Sequence, residues 1–242
     1  MKRLVRKAIR RVGWELTRFR PESSEWARLK TMLSAHGVDT VLDVGANTGQ
    51  YAKNLRDAGF KGKIVSFEPT SEAHARLCRA ARHDPLWTVA ERTAVGDVDG
   101  QTQIQVAGNS VSSSLLPMLA SHRAADPNSG YLTAEDVPIA TLDSIAPRFL
   151  KGDELIFVKI DVQGYEKKVL AGAPTLLGRT VGLQLELSFM PLYEGETLFQ
   201  PVVEYLGARD FELWGLTPGF VNKSNGRLLQ ADAVFFRRKD RE

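Results

Sequence analysis

Short apolar runs alternating with helical patterns fill most of this 242-residue chain, and that alternation limits the fold more than any other feature. Strands separated by helix-length segments pair in parallel, since a parallel pair needs a crossover of a dozen or more residues. Strands are expected at about Thr40–Val44, Lys63–Phe67, Trp87–Val95, Leu155–Asp161, Val181–Leu187, Phe211–Leu216 and Ala231–Arg237. Helical periodicity falls at Thr48–Ala58, Glu72–Arg82, Glu166–Ala171 and Leu198–Gly207. Pro218, Gly219, Asn222 and Asn225 separate the last two strands without helical spacing, which predicts a hairpin-like return. The expected architecture is α/β: a mostly parallel seven-stranded sheet with an antiparallel last strand and helices on both faces.

Residues 96–154 interrupt the pattern as an insertion between strands three and four. Gln101–Val106 and Val137–Thr141 read as extra short strands, with an irregular stretch, Ala107–Glu135, between them. Long irregular insertions in compact domains commonly serve as lids or binding loops.

At 43% apolar residues the chain can bury one substantial core. The expected division is a basic arm over residues 1–37 and one domain over 38–242. Residues 1–20 carry eight Lys/Arg against Glu15 alone, whereas the rest of the chain is net −4. The basic character therefore belongs to the arm, and a nucleic-acid-binding body is not expected. Leu4, Val5, Ala8, Ile9, Val12, Leu16 and Phe19 cluster within about 140° of a helical wheel, opposite the basic residues. Such a helix lies either on the protein's own core or on an anionic membrane surface. No run between Lys2 and Arg20 is long enough for a signal-peptide core, and nothing elsewhere approaches a membrane span. The lone Cys78 excludes a disulfide framework and fits the reducing cytosol. Four histidines without HxH or HxxxH spacing give no sign of a dedicated metal site.

The first strand ends in Val41-Leu42-Asp43-Val44-Gly45-Ala46-Asn47-Thr48-Gly49. Gly45 and Gly49 permit a tight strand-to-helix turn that a ligand can approach closely. Asn47 stands where a dinucleotide fingerprint has its second glycine, so the turn suits a nucleoside without a pyrophosphate. Asp43 fits a ligand carrying positive charge. The second strand ends in Phe67-Glu68-Pro69, and Glu68, 19 residues past Gly49, is placed to accept from ribose hydroxyls.

The motifs VLDVGANTGQYA, SFEP, TAVGD (93–97), TLDS (141–144) and KIDVQGYE (159–166), in this order and spacing, resemble the FkbM family of methyltransferases over roughly residues 38–236. The resemblance implies a class I, Rossmann-like methyltransferase fold, S-adenosylmethionine as cofactor, and O-methylation of a small molecule. It also implies that Asp43, Gly45, Ala46, Asn47, Gly49, Glu68 and Pro69 line the cofactor site. Ala94 and Val95 would lie near the adenine, and Asp161 near the methionine end. The family often has Glu followed by Gly-His or Gly-Phe where this chain has Gln163-Gly164-Tyr165, so a proton-acceptor role there does not transfer to Gln163.

Methyl transfer to a hydroxyl needs an aligned oxygen and a proton acceptor, and ligands of open α/β sheets bind at the carboxyl ends of the strands. Asp161 ends the fourth strand. Lys159, two residues earlier on the same face, is costly to bury unpaired, and Glu186 on the next strand is its expected ion partner. Glu186 itself is either that partner or an acceptor-binding group. His122 is a candidate base within the insertion, although an ordinary loop histidine is the blander reading. Ser112, Ser113 and Ser114 are either ligand contacts or solvated loop residues. Gln163, Tyr165, Tyr193 and Glu194 are candidate acceptor contacts, the last two equally readable as a plain aromatic and a solvated acid. The acceptor expected is a sugar, glycolipid or polyketide.

Two other classes fit less well. A nicotinamide-dependent oxidoreductase is disfavoured by Asn47 in the turn and by the lack of a TyrxxxLys pair after strand four. A non-catalytic, membrane-associated module that binds S-adenosylmethionine has no need to keep Asp43, Glu68 and Asp161 together.

Overall fold

The computed structural model describes residues 10–15 and 17–238. The strands of its main sheet are β1 (Thr40–Val44), β2 (Lys63–Phe67), β3 (Trp87–Val89), β7 (Ile156–Ile160), β8 (Thr180–Ser188), β9 (Phe211–Pro218) and β10 (Gln230–Arg237). Their order is β3-β2-β1-β7-β8-β10-β9. Pairings on the β3 side of β8 are parallel, and β10 runs antiparallel to both β8 and β9. The expected seven-stranded α/β sheet with its antiparallel last strand is thus present.

Helices α1 (Glu25–Ala35), α2 (Gln50–Asp57), α3 (Ser71–Ala81), α6 (Glu166–Ala171), α7 (Pro174–Arg179) and α8 (Phe199–Gly207) cover the sheet. Central strands buried on both faces read as continuous apolar runs. Accordingly Leu42, Val44, Val65, Val158, Ile160 and Leu185 fill one core, and Val41, Ile64, Phe157 and Phe236 fill the other.

The third strand is shorter than its apolar run predicted. Trp87–Val89 pairs with β2, but β4 (Ala94–Gly96) leaves the main sheet. It joins β5 (Gly100–Ala107) and β6 (Tyr131–Thr141) in a second, three-stranded sheet, order β4-β6-β5. The insertion is correspondingly more regular than expected: residues 131–135 extend β6, and α4 (Ala120–Ala125) and the short α5 (Leu142–Ile145) flank it.

Residues 21–37, expected to belong to the arm rather than the domain, contain α1. Ser24 caps it by accepting from the Ala27 amide, and Leu29 and Leu33 are buried in the core containing Phe157 and Phe236. Residues 1–9 and 16 of the expected amphipathic arm lie outside the described residues. In the remainder, helix ends at Arg11, and Gly13 has φ 83°. A single helix through Phe19 therefore does not form, and Val12, Trp14 and Phe19 are exposed rather than laid on the core. Among the described residues no helix is long and apolar enough to cross a membrane.

Candidate active site

The carboxyl ends of β1, β2, β7 and β8 open onto one cavity of about 460 Å³, within the range of small-molecule sites. At one end lies the glycine turn. Gly45 has φ 78°, and a Cβ there would come within 1.8 Å of the Asp161 carbonyl oxygen. Only glycine lets β1 and β7 close at their tips. The amides of Gly45 and Ala46 donate to the Phe67 carbonyl at 3.0 Å each, and the Asn47 amide donates to Glu68 Oε2 at 2.8 Å. Thr70 donates its amide (2.9 Å) and its hydroxyl (2.6 Å) to Glu68 Oε1. Burial raises the Glu68 pKa, while the hydrogen bonds from Thr70 and Asn47 oppose it. Gly45, Ala46, Asn47, Glu68, Pro69, Ala94 and Val95 all line the cavity.

Two residues expected to line the cofactor site, Gly49 and Asp43, do not line this cavity. Gly49, φ 84°, begins α2 against the Trp87 ring, where a Cβ would lie 2.7 Å away. Asp43 is fully buried beneath the wall: its carboxylate accepts from the Ser66 hydroxyl at 3.2 Å and lies 3.6 Å from Lys159 Nζ. The reason is strand register. Asp43 faces Lys159 directly across the β1–β7 pair.

Lys159 Nζ also reaches Asp161 Oδ2 at 3.1 Å and the Gly45 carbonyl at 3.4 Å. Its expected partner, Glu186, is replaced by these two aspartates, since the β8 residue opposite Lys159 is Gln184. Burial works to discharge Lys159, but Asp161 and Asp43 outweigh it and hold the ammonium charged well above the usual range. Asp161 keeps about 30% of its side chain exposed, toward the cavity.

Gln163 occupies the middle of the site in a left-handed conformation, φ 53°. Its Nε2 donates to Asp161 Oδ1 at 2.8 Å and to Glu186 Oε2 at 2.6 Å, and its Oε1 accepts from the Tyr193 hydroxyl at 2.8 Å. A glutamate here would add a third carboxylate to that pair, so glutamine suits this chain's own surroundings. Glu166 is a structural acid: it accepts from the Val162 and Gly164 amides and holds the turn, and burial, despite these bonds, raises its pKa to about 8.

Beyond Gln163 the cavity floor is built by β8 and β10. Gln184, Glu186 and Ser188 pair with Val234, Asp232 and Gln230 on one face of the sheet. Asp232 was missed in the sequence, although an acid alternating with alanines in an apolar strand is a signal. Burial, then the Asp161 charge, raises its pKa to about 6, and Gln184 Nε2 donates to it at 3.0 Å. The Tyr51 hydroxyl donates in turn to Gln184 Oε1 at 2.9 Å. Burial, followed by repulsion from Asp161, Asp232 and Glu166, pushes Glu186 well above the carboxylate range. From α1, Glu25, Trp26 and Arg28 close the remaining wall, a contribution hidden by assigning 21–37 to the arm.

Three expected acceptor contacts lie elsewhere. Tyr193 is fully buried behind the cavity wall, where its hydroxyl donates to Gln163 Oε1 and to the Ser112 carbonyl at 3.3 Å. Glu194 is exposed, its amide bound to the Pro117 carbonyl. Tyr165 turns toward the second sheet, its hydroxyl donating to Asp97 at 3.4 Å. Ser114 donates to the Gln163 carbonyl at 2.7 Å, Ser113 to the Ser110 carbonyl, and Ser112 accepts from Asn109. His122, at the edge of the insertion, lines the cavity. Burial lowers its pKa to about 4 against the pull of Asp126, which leaves the imidazole neutral.

With this geometry in place, the chain's relationships can be stated. The model of the Methyltransferase FkbM domain matches residues 43–213. The chain belongs to the FkbM methyltransferase family. It is an S-adenosylmethionine-dependent methyltransferase with the class I fold. Among solved structures it is similar to a candidate S-adenosylmethionine-dependent methyltransferase from Listeria monocytogenes (10% identity, 89% of this chain and 98% of that one, TM-score 0.49). It is also similar to a candidate RNA methyltransferase from Pyrococcus horikoshii (11%, 90% and 83%, 0.46). A third is TehB from Haemophilus influenzae (12%, 87% and 62%, 0.45). No curated protein matches this methyltransferase. Its acceptor must be argued from its own residues.

Proposed function

We propose that this methyltransferase transfers its methyl group to a hydroxyl oxygen of a small molecule, a sugar or glycolipid. The observation that carries the reading is Asp232. This carboxylate lines the cavity, and its pKa near 6 makes it basic enough to take a proton and still ionised at neutral pH. An amine acceptor that is already neutral needs no such base; a hydroxyl does.

In this reading Glu68 holds the ribose, Ala94 and Val95 enclose the adenine, and Asp161 holds the α-ammonium. Bound there, S-adenosylmethionine supplies a methyl carbon activated by its sulfonium. The sugar hydroxyl would give its proton to an Asp232 carboxylate oxygen as its oxygen takes the methyl group and the methyl–sulfur bond breaks, its electron pair staying on sulfur to leave a neutral thioether. Lys159 holds Asp161 in place by its 3.1 Å ion pair, while Gln163 sets the spacing of Asp161 and Glu186. Fixed charges of this kind act without reorganising during the reaction, which is the main source of their effect on rate.

A glycolipid acceptor is favoured by one further feature. The exposed Val12, Trp14 and Phe19 lie within a segment carrying net +7 and lead directly into α1, whose Trp26 and Arg28 line the cavity. Such a segment suits the anionic, cytoplasmic face of a membrane. The test is incubation with methyl-¹³C-labelled cofactor and a fractionated glycolipid extract, followed by NMR of the products. Label on oxygen supports the reading; label on nitrogen or carbon rejects it.

A further inference from the structure

The insertion side of the cavity contains a histidine that the methyl-transfer chemistry leaves unused. His122 is only 2% exposed, yet its Nδ1 has no partner and its Nε2 makes no hydrogen bond among the described residues. Buried polar groups are almost always hydrogen-bonded, and leaving one unsatisfied costs roughly 1–3 kcal/mol. The ring is held edge-on to Tyr193 (centroids 5.1 Å) and tilted against Phe220 (5.0 Å). Both contacts would serve equally well with a phenylalanine, so packing alone does not account for an imidazole.

The neighbours of His122 form a coherent wall. Phe220 accepts at its carbonyl from the Gln230 amide at 3.2 Å, and Gln230 is 2% exposed with no side-chain partner among the described residues. Glu186 Oε1 approaches to 3.6 Å of the position of a Cβ on Gly219, next to Phe220. Asp232 is the cross-strand partner of Glu186 and lies two residues from Gln230, on the same face. An aromatic face, a neutral imidazole, an unpartnered carboxamide and two carboxylates thus surround one space.

We infer that His122, Phe220 and Gln230, with Glu186 and Asp232 below them, form the acceptor subsite, and that it takes a neutral polyhydroxylated ring and rejects acceptors bearing phosphate or carboxylate near the methylated hydroxyl. The inference rests on the proposed O-methylation and adds the subsite and its selectivity. The C–H face of such a ring packs on Phe220, while its hydroxyls satisfy His122 and Gln230 as both donor and acceptor. An anion in this space would meet Asp232 and Asp161; of the two cations lining the cavity, Lys159 is already committed to two aspartates and Arg28 donates to the Pro21 carbonyl at 3.3 Å. Leaving the subsite's buried polar groups unpaired is what penalises a wrong ligand.

The experiment is saturation-transfer NMR on the full chain with S-adenosylhomocysteine bound. The probes are methyl glycosides of glucose, galactose, mannose and rhamnose, set against the 6-phosphates of the first three and against glucuronate. At least one neutral glycoside is expected to give a signal, and the phosphates and glucuronate none. His122→Phe should reduce that signal at least fivefold while raising Tm, because it keeps the ring packing and removes the unpaired nitrogen. Gln230→Met should also reduce it, with cofactor affinity unchanged in both variants. Binding of the phosphates, absence of any neutral signal, or unchanged binding in both variants would overturn the subsite. A methyl group found on nitrogen, with glycoside binding intact, would instead reject the O-methylation reading and leave the subsite standing.

Discussion

At the end of the cavity proposed for the cofactor, Glu68 and the glycine turn are held by backbone amides: Asn47 and Thr70 donate to the carboxylate, and Gly45 and Ala46 to Phe67. At the end proposed for the acceptor, side chains hold side chains: Gln163 joins Asp161, Glu186 and Tyr193, and Gln184 joins Tyr51 to Asp232. A backbone cradle keeps its shape through most substitutions and so fits a cofactor common to many relatives. A side-chain network changes with each residue, so acceptor choice can vary while the donor site stays fixed. Networks of this kind are also more sensitive, because each unpaired member is costly in a buried setting.

The sharpest way to break this contrast is Asp232→Asn. We expect the single-turnover rate to fall by about 10²–10⁴, the usual worth of a general base, with calorimetric S-adenosylmethionine affinity unchanged. Stability should move the other way. The Asp232 pKa is raised from 3.8 to about 6, so its contribution is fully present below about pH 4 and is lost as pH rises through 6. The variant should therefore melt at or above the wild-type temperature at pH 8.

Asp161→Asn should come next, since it touches both ends. A loss of about 2–4 kcal/mol in transition-state stabilisation is expected from single-turnover rates. Tm should also fall, because Asp43 at 3.6 Å would be the one carboxylate left to Lys159 among the described residues; the partial exposure of Asp161 limits that cost to about 1–2 kcal/mol. An unchanged rate would remove Asp161 from the donor site.

Glu68→Gln keeps the shape of the cradle and removes its charge. Titration calorimetry should show cofactor binding weakened by about 1–3 kcal/mol, with the saturated rate close to wild type. Equal affinity would detach Glu68 from the ribose. The smallest effect on catalysis should follow deletion of residues 1–20. Cofactor affinity should be unchanged, while sedimentation with anionic vesicles drops, at up to ~1 kcal/mol per lost charge. Equal vesicle binding by both forms would remove the arm from the membrane.

The same contrast explains what could be read in advance. The strand positions and the glycine turn were legible because local periodicity and φ > 0 requirements leave direct traces in sequence, as Gly45 illustrates. The Lys159 partners were not, because they depend on register: Asp43 lies 116 residues away in the chain, directly across the strand pair. Asp232 and Gln230 were hidden in a run read only for its apolar residues. Trp26 and Arg28 were hidden by the polar setting of Ser23-Ser24-Glu25, which is in fact the start of α1. Tyr193 and Glu194 are adjacent in sequence, yet one is fully buried and the other exposed, a distinction set by the fold of the loop.

The most direct test of the division of labour is the pH dependence of the single-turnover rate at saturating S-adenosylmethionine, measured for the wild type and Asp232→Asn side by side. The wild-type rate is predicted to fall with decreasing pH below about 6, where Asp232 takes up a proton. The variant is predicted to be slow and to lack that acid limb, with the same cofactor affinity. An acid limb that persists unchanged in Asp232→Asn would contradict the account.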